Sequence, residues 1–115
     1  MRLAELEGRF VGGYAQIASR VSHRELASVD GAQGVLFECP KCHGHQVLCW
    51  FKNPRNAPIV PADAKPGPGR WIFTGDSIDT LTLEPSVDLS KIDAEHPAHE
   101  GRCYWHGWVK SGNAQ

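Results

Sequence analysis

The chain has 115 residues, 41% hydrophobic and 22% charged, a length that fits one domain and excludes a two-domain enzyme. Twelve Lys and Arg against thirteen Asp and Glu leave a formal net charge of -1, so there is no bulk attraction toward nucleic acid or an anionic membrane. A domain of this size buries about two-thirds of the surface its unfolded chain exposes, a thin core that a bound metal would reinforce.

From Met1 to Val29 the pattern is ambiguous: Tyr14, Ile17, Val21 and Leu26 approximate a helical face, while Gly8, Gly12 and Gly13 weaken any helix before Tyr14. The opening MRLAELEGRF lacks the apolar core of a secretory signal, and no apolar run approaches the roughly 20 residues needed to cross a bilayer, so a soluble, cytosolic protein is expected. Asp30-Gly31 is a turn signal. Val35, Leu36 and Phe37 then lead into Cys39 and Pro40, and a second apolar run extends from Gln46 to Phe51. Together they predict a hairpin with CPKCHGH at its tip.

Residues Asn53 to Arg70 hold five of the eight prolines and two glycines, which predicts a long surface loop, either a lid or an insertion. Strand-like alternation returns at Trp71, Ile72 and Phe73, turns at Thr74 to Ser77, and resumes with Leu81 and Leu83 on one side and Thr80, Thr82 and Glu84 on the other. After a polar stretch from Asp88 to Gly101, the segment Cys103 to Val109 reads as a last strand before a Ser111-Gly112 turn. The expectation is a mainly β single domain (1–115) of four or five short strands with little helix: an N-terminal segment (1–33), a β domain (34–112) and the loop (53–70).

Four cysteines in a reducing compartment more often bind metal than form disulfides when they are closely spaced. Cys39 and Cys42, with Pro40 inside the turn, have the spacing of a zinc knuckle. Two assignments complete the site. Cys39, Cys42, Cys103 and His106 would make a Cys3His set from two pairs of equal spacing. Cys39, Cys42, His45 and Cys103 would leave His106 outside, because residues three apart in an extended strand point to opposite faces. Cys49, among apolar neighbours, reads as an ordinary buried cysteine; His43 is a weaker candidate, and His96 and His99 read as solvated.

Serine hydrolysis needs a hydroxyl held against a base. Ser86 follows Pro85 at a strand end and by itself reads as a turn serine; His106 is its plausible base, and Asp76, Asp79 and Asp88 are the acids that would orient an imidazole. No HExxH helix of a catalytic zinc site is present. Trp71, Trp105, Trp108 and Tyr104 read as core aromatics, with a ligand-binding aromatic surface as the alternative.

The blocks FECPKCHGH, WIFTGDS, TLEPS and CYWHGWVKSG occur in this order, and over residues 34–112 the chain resembles a family of small phage-encoded proteins that includes the BubE-type peptidases of bacterial ubiquitin-like conjugation operons. The resemblance implies a zinc-stabilised domain with a Ser and His active site, with Ser86 as the Ser of the Pro-Ser block and His106 as the His of the C-terminal block. Cys39, Cys42 and Cys103 fall on the family's metal-associated cysteines. Tyr104 and Trp105 separate Cys103 from His106, as in the operon type, and the loop at 53–70 is longer than the family pattern. The expected sites are thus catalytic Ser86 and His106, and Cys39, Cys42, His45 and Cys103 around one structural zinc. The expected function is a serine peptidase acting on a ubiquitin-like tail or conjugate in the bacterial cytosol; the alternative is a non-catalytic, zinc-binding phage or prophage module for protein interaction.

Overall fold

The apolar runs on either side of CPKCHGH form Gly34–Glu38 (β3) and Gln46–Trp50 (β4), antiparallel in register from Gly34 opposite Trp50 to Glu38 opposite Gln46. In this computed structural model, which describes residues 1–92 and 96–115, side-chain alternation divides β3 between two cores. Val35 and Phe37 join the larger one with Leu3, Phe51, Leu83 and Val109. Leu36 faces the other way, onto Val11, Trp50, Val60 and Ala64.

The ambiguous N-terminal stretch is a hairpin, Arg9–Ile17 (β1) and Arg20–Leu26 (β2), giving a sheet of order β2-β1-β3-β4. The helical spacing of its apolar residues is overridden by the pairing of Phe10 and Val11 with Val35 and Gly34. The glycines that argued against a helix mark a bulge instead. The β1-β2 register shifts between Gly12 and Ala15, and Gly13 takes φ +63°, a left-handed conformation that glycine adopts without penalty. Beyond the bulge the hairpin is exposed, with Ile17 73% accessible.

The sheet continues through a parallel bridge between Phe51 and Trp71 into the hairpin Ile72–Thr74 (β5) and Thr82–Glu84 (β6). Asn53 covers the outer edge of β5. Its Nδ2 donates to the Phe73 carbonyl (3.1 Å) and its Oδ1 accepts from the Phe73 N–H (2.9 Å), as a neighbouring strand would.

Residues 53–70 contain no helix or strand, but they are tied down. The Arg70 guanidinium donates to the carbonyls of Val60 (3.3 Å), Ala64 (3.3 Å), Pro66 (3.4 Å) and Gly69 (2.7 Å), and to that of Pro61. Trp50 Nε1 donates to Lys65 (3.1 Å), and Val60 and Ala64 are buried. The loop is therefore a packed wall rather than a lid.

At the C-terminal end, Val87–Asp88 (β7) pairs with His106–Gly107 (β8), a single helical turn spans Pro97–Glu100 (α1), and Val109–Lys110 (β9) pairs with Asn113–Ala114 (β10). The segment expected as one strand from Cys103 to Val109 is broken because its partner changes. At Trp108 the backbone leaves β7 and exchanges hydrogen bonds with Gln115 (2.9 and 3.0 Å). Gly107 permits this crossing, since a Cβ there would stand 2.1 Å from the Gln115 carbonyl oxygen.

The architecture is mainly β with antiparallel sheets, though with ten strands among the described residues where four or five were expected. Bulges, partner changes and two-residue ladders cut the apolar runs more finely than their pattern shows. No helix among the described residues is long and apolar enough to cross a membrane.

Candidate functional site

The turn between β3 and β4 holds its cysteines through its own backbone. Cys39 N–H donates to the His45 carbonyl (2.9 Å), His43 N–H to the Cys39 carbonyl (3.0 Å), and Gly44 N–H to the Cys42 sulfur (3.3 Å). Cys103 approaches from the far end of the chain, fixed by its N–H donating to Ala98 of α1 (2.9 Å). The ligand atoms of Cys39, Cys42, His45 and Cys103 all lie within 4.8 Å of one another.

This donor set fits a tetrahedral cation on two independent observations. The Cys39 and Cys103 sulfurs are 3.7 Å apart, close to the edge of about 3.8 Å that two Zn–S bonds of about 2.3 Å subtend. His45 Nδ1 lies 3.4 Å from the Gln46 carbonyl, and its Nε2 is buried with no hydrogen-bond partner. A buried ring nitrogen without a partner, on a residue clustered with three cysteines, is what a metal ligand would present.

The thiols respond to one another. Burial opposes ionisation of Cys42, but the Gly44 N–H and the Cys103 and Cys39 thiols outweigh it and hold its pKa below the ordinary thiol value. Burial, then the Cys42 and Cys39 thiols, push Cys103 up to about 11. A divalent cation removes this conflict by stabilising every thiolate at once. Cys49, fully buried and with its pKa pushed up by burial, and the exposed His43 stand outside the cluster. His96 and His99, expected in solvent, are half-buried: His96 Nδ1 accepts from Ala98 N–H (3.1 Å), its ring centroid is 5.5 Å from that of His45, and His99 Nε2 is 3.3 Å from the Ile92 carbonyl.

His106 is not in the Cys3His cluster. Along 103–110 burial alternates strictly, with Cys103, Trp105, Gly107 and Val109 inside and Tyr104, His106, Trp108 and Lys110 outside. The outward imidazole meets Ser86, with Ser86 Oγ and His106 Nε2 3.1 Å apart. Pro85, joined to Glu84 by a cis bond, separates β6 from β7 and places Ser86 just before the β7-β8 pair. Trp71 Nε1 donates to the Ser86 carbonyl (3.3 Å). Leu89 N–H donates to the Trp105 carbonyl (3.1 Å), continuing the ladder that holds the two segments together.

Two clefts meet at Pro85. One, about 180 Å³, is lined by Gly69, Trp71, Ser86, Asp88 and Lys91 among others. The other, shallower and about 450 Å³, is formed by Ile72, Glu84, Pro85 and Trp108. Of the four aromatics expected in the core, Trp71 and Trp105 are buried, whereas Tyr104 and Trp108 are 41% and 43% accessible. Their outward positions follow from the same alternation that exposes His106. The three candidate acids also separate. Asp76 pairs with Arg55 (3.1 Å) and Asp79 lies 4.0 Å from Arg2, while Asp88 is directly opposite His106 in the β7-β8 register. Lys91 and Ile92, which line the smaller cleft, carry no motif that marks them in the sequence.

A small antiparallel β domain with a Cys3His cluster and a Ser–His contact is thus defined by geometry, and its family follows from comparison. Residues 15–115 match the model of BubE, the bacterial ubiquitination-like system serine protease, and the chain belongs to that family. No curated protein and no solved structure matches the chain.

Proposed function

We propose that this protein is a zinc-stabilised serine peptidase that acts on the C-terminal tail of a ubiquitin-like protein, in a precursor or a conjugate, in the bacterial cytosol. The observation that carries the reading is the 3.1 Å contact between Ser86 Oγ and His106 Nε2 in a chain of a serine protease family. Ser86 is the nucleophile, and His106 is the general base and then the general acid.

With the imidazole proton on Nδ1, Nε2 accepts the Ser86 hydroxyl proton as Oγ bonds to the substrate carbonyl carbon, and the carbonyl electron pair becomes an oxyanion. Collapse of that oxyanion breaks the bond to the leaving group, which takes the proton from Nε2 and leaves an acyl-serine. Water then repeats the sequence with His106 as base, releasing the acid and restoring Ser86. A substrate tail crossing Pro85 passes over Ser86 between the two clefts.

Cys39, Cys42, His45 and Cys103 would hold the zinc, which supplies a structural cross-link and folding energy. Cys103 thereby anchors the segment that carries His106. The test is cleavage of a ubiquitin-like protein extended at its C-terminus, alongside an isopeptide conjugate of the same protein. Release of the extension or of the conjugate, reduced roughly 1000-fold or more in Ser86→Ala, is expected. Cleavage that persists in Ser86→Ala, or inertness toward both substrates, contradicts the proposal.

A further inference from the structure

We propose that Asp88 is the positioning acid of this site, its carboxylate stabilising across the β7-β8 pair the imidazolium that His106 becomes when it takes the Ser86 proton. This rests on the hydrolase reading above and deepens it.

The geometry comes from register. Asp88 and His106 are directly paired, and side chains of paired residues leave a ribbon on the same face with Cβ atoms about 5 Å apart. Val87, between Ser86 and Asp88, is buried, as is its partner Gly107, so the face of this ribbon with Val87 and Gly107 is core and the face with Asp88 and His106 is the reactive one.

The carboxylate is also held. Ser90 donates to Oδ1 through both its N–H (3.0 Å) and its hydroxyl (2.7 Å). These two bonds, followed by the charges of His106 and Lys91, keep Asp88 below the usual carboxylate range and favour its charged form. Lys91 stands beside it in the smaller cleft, and Lys110 is placed over the Trp108 ring, 5.0 Å from its centroid. Glu84 lines the other cleft, beyond Pro85. Among the described residues no direct hydrogen bond joins Asp88 to His106, so the carboxylate acts through space, in a setting where salt screens it.

The test is the rate of fluorophosphonate labelling from pH 5 to 9 for wild type, Asp88→Asn, Asp88→Glu and Ser90→Ala, at low ionic strength and in 1 M salt. Asn keeps an acceptor for Ser90 N–H, so Asp88→Asn removes charge without removing the cap. Asp88→Asn should label about 3- to 10-fold more slowly at low salt, with the midpoint of its pH profile moved to lower pH. The difference should shrink in 1 M salt, Asp88→Glu should recover most of the rate, and Ser90→Ala should fall between wild type and Asp88→Asn. Wild type that labels while Asp88→Asn matches it in rate, midpoint and salt response overturns the role of Asp88 alone. Wild type that never labels overturns the hydrolase reading and this inference with it.

Discussion

Cys103 and His106 are three residues apart on one extended segment and serve opposite faces of it: the Cys103 sulfur is buried 3.7 Å from that of Cys39, and His106 Nε2 is exposed 3.1 Å from Ser86 Oγ. The Cys3His cluster and the Ser86–His106 contact therefore share a backbone without sharing a residue. A Cys3His site that used His106 would take the imidazole away from its contact with Ser86 Oγ.

The two histidines make opposite predictions. His45→Ala should bind zinc at less than one equivalent and unfold at least about 10 °C lower, because ligand loss forfeits folding energy and 1 kcal/mol shifts a domain of this size by about 4–8 °C. His106→Ala should keep one zinc and the wild-type melting temperature within about 2 °C. Metal analysis and calorimetry of the two variants check both statements.

Arg70 organises the loop beside Ser86 through five carbonyls. Arg70→Ala should cost about 1–3 kcal/mol in urea denaturation, the range for leaving partly buried acceptors unpaired. It should also open residues 60–69 to limited proteolysis, with the cut sites located by mass spectrometry.

Leu83 is fully buried in the larger core, on the strand that leads to Pro85 and Ser86. Leu83→Ala should destabilise by about 2–5 kcal/mol, as lost burial and the remaining cavity add. The midpoint of urea unfolding reads the change directly.

Asp88 also links stability to pH. Its folded pKa lies below the ordinary 3.8, so its charged form favours the folded state; that contribution is present above pH 3.8 and is lost as pH falls through the folded value. The stability difference between wild type and Asp88→Asn should therefore be present at pH 6 and shrink as the pH falls below 3.8, in urea unfolding of both proteins at each pH.

The legible parts of the molecule were local. Alternation from Trp71 to Glu84 and the paired apolar runs around Cys39–His45 carry a period-2 pattern long enough to define strands, and the knuckle spacing lies within one turn. The period-2 rule also separated Cys103 from His106. Ser86 was different: a serine after a proline has no distinguishing pattern, and its partner is 20 residues away across a ladder of two-residue strands too short to predict register. Family resemblance, not spacing, marks it. The N-terminal hairpin was obscured because Tyr14, Ile17 and Val21 lie at helical spacing by coincidence, on an arm where Ile17 and Val21 are exposed and contribute little to the core. The change of partner at Trp108 depends on the backbone of Gln115, which no side-chain pattern records.

The most direct test of the central claim is intact-protein and peptide mass spectrometry after treatment of the zinc-loaded protein with a fluorophosphonate. One adduct is expected, located on Ser86, absent in Ser86→Ala and slowed roughly 100-fold or more in His106→Ala while that variant retains its zinc. No adduct on the folded, zinc-loaded wild type, or an adduct formed equally well without His106, would contradict it.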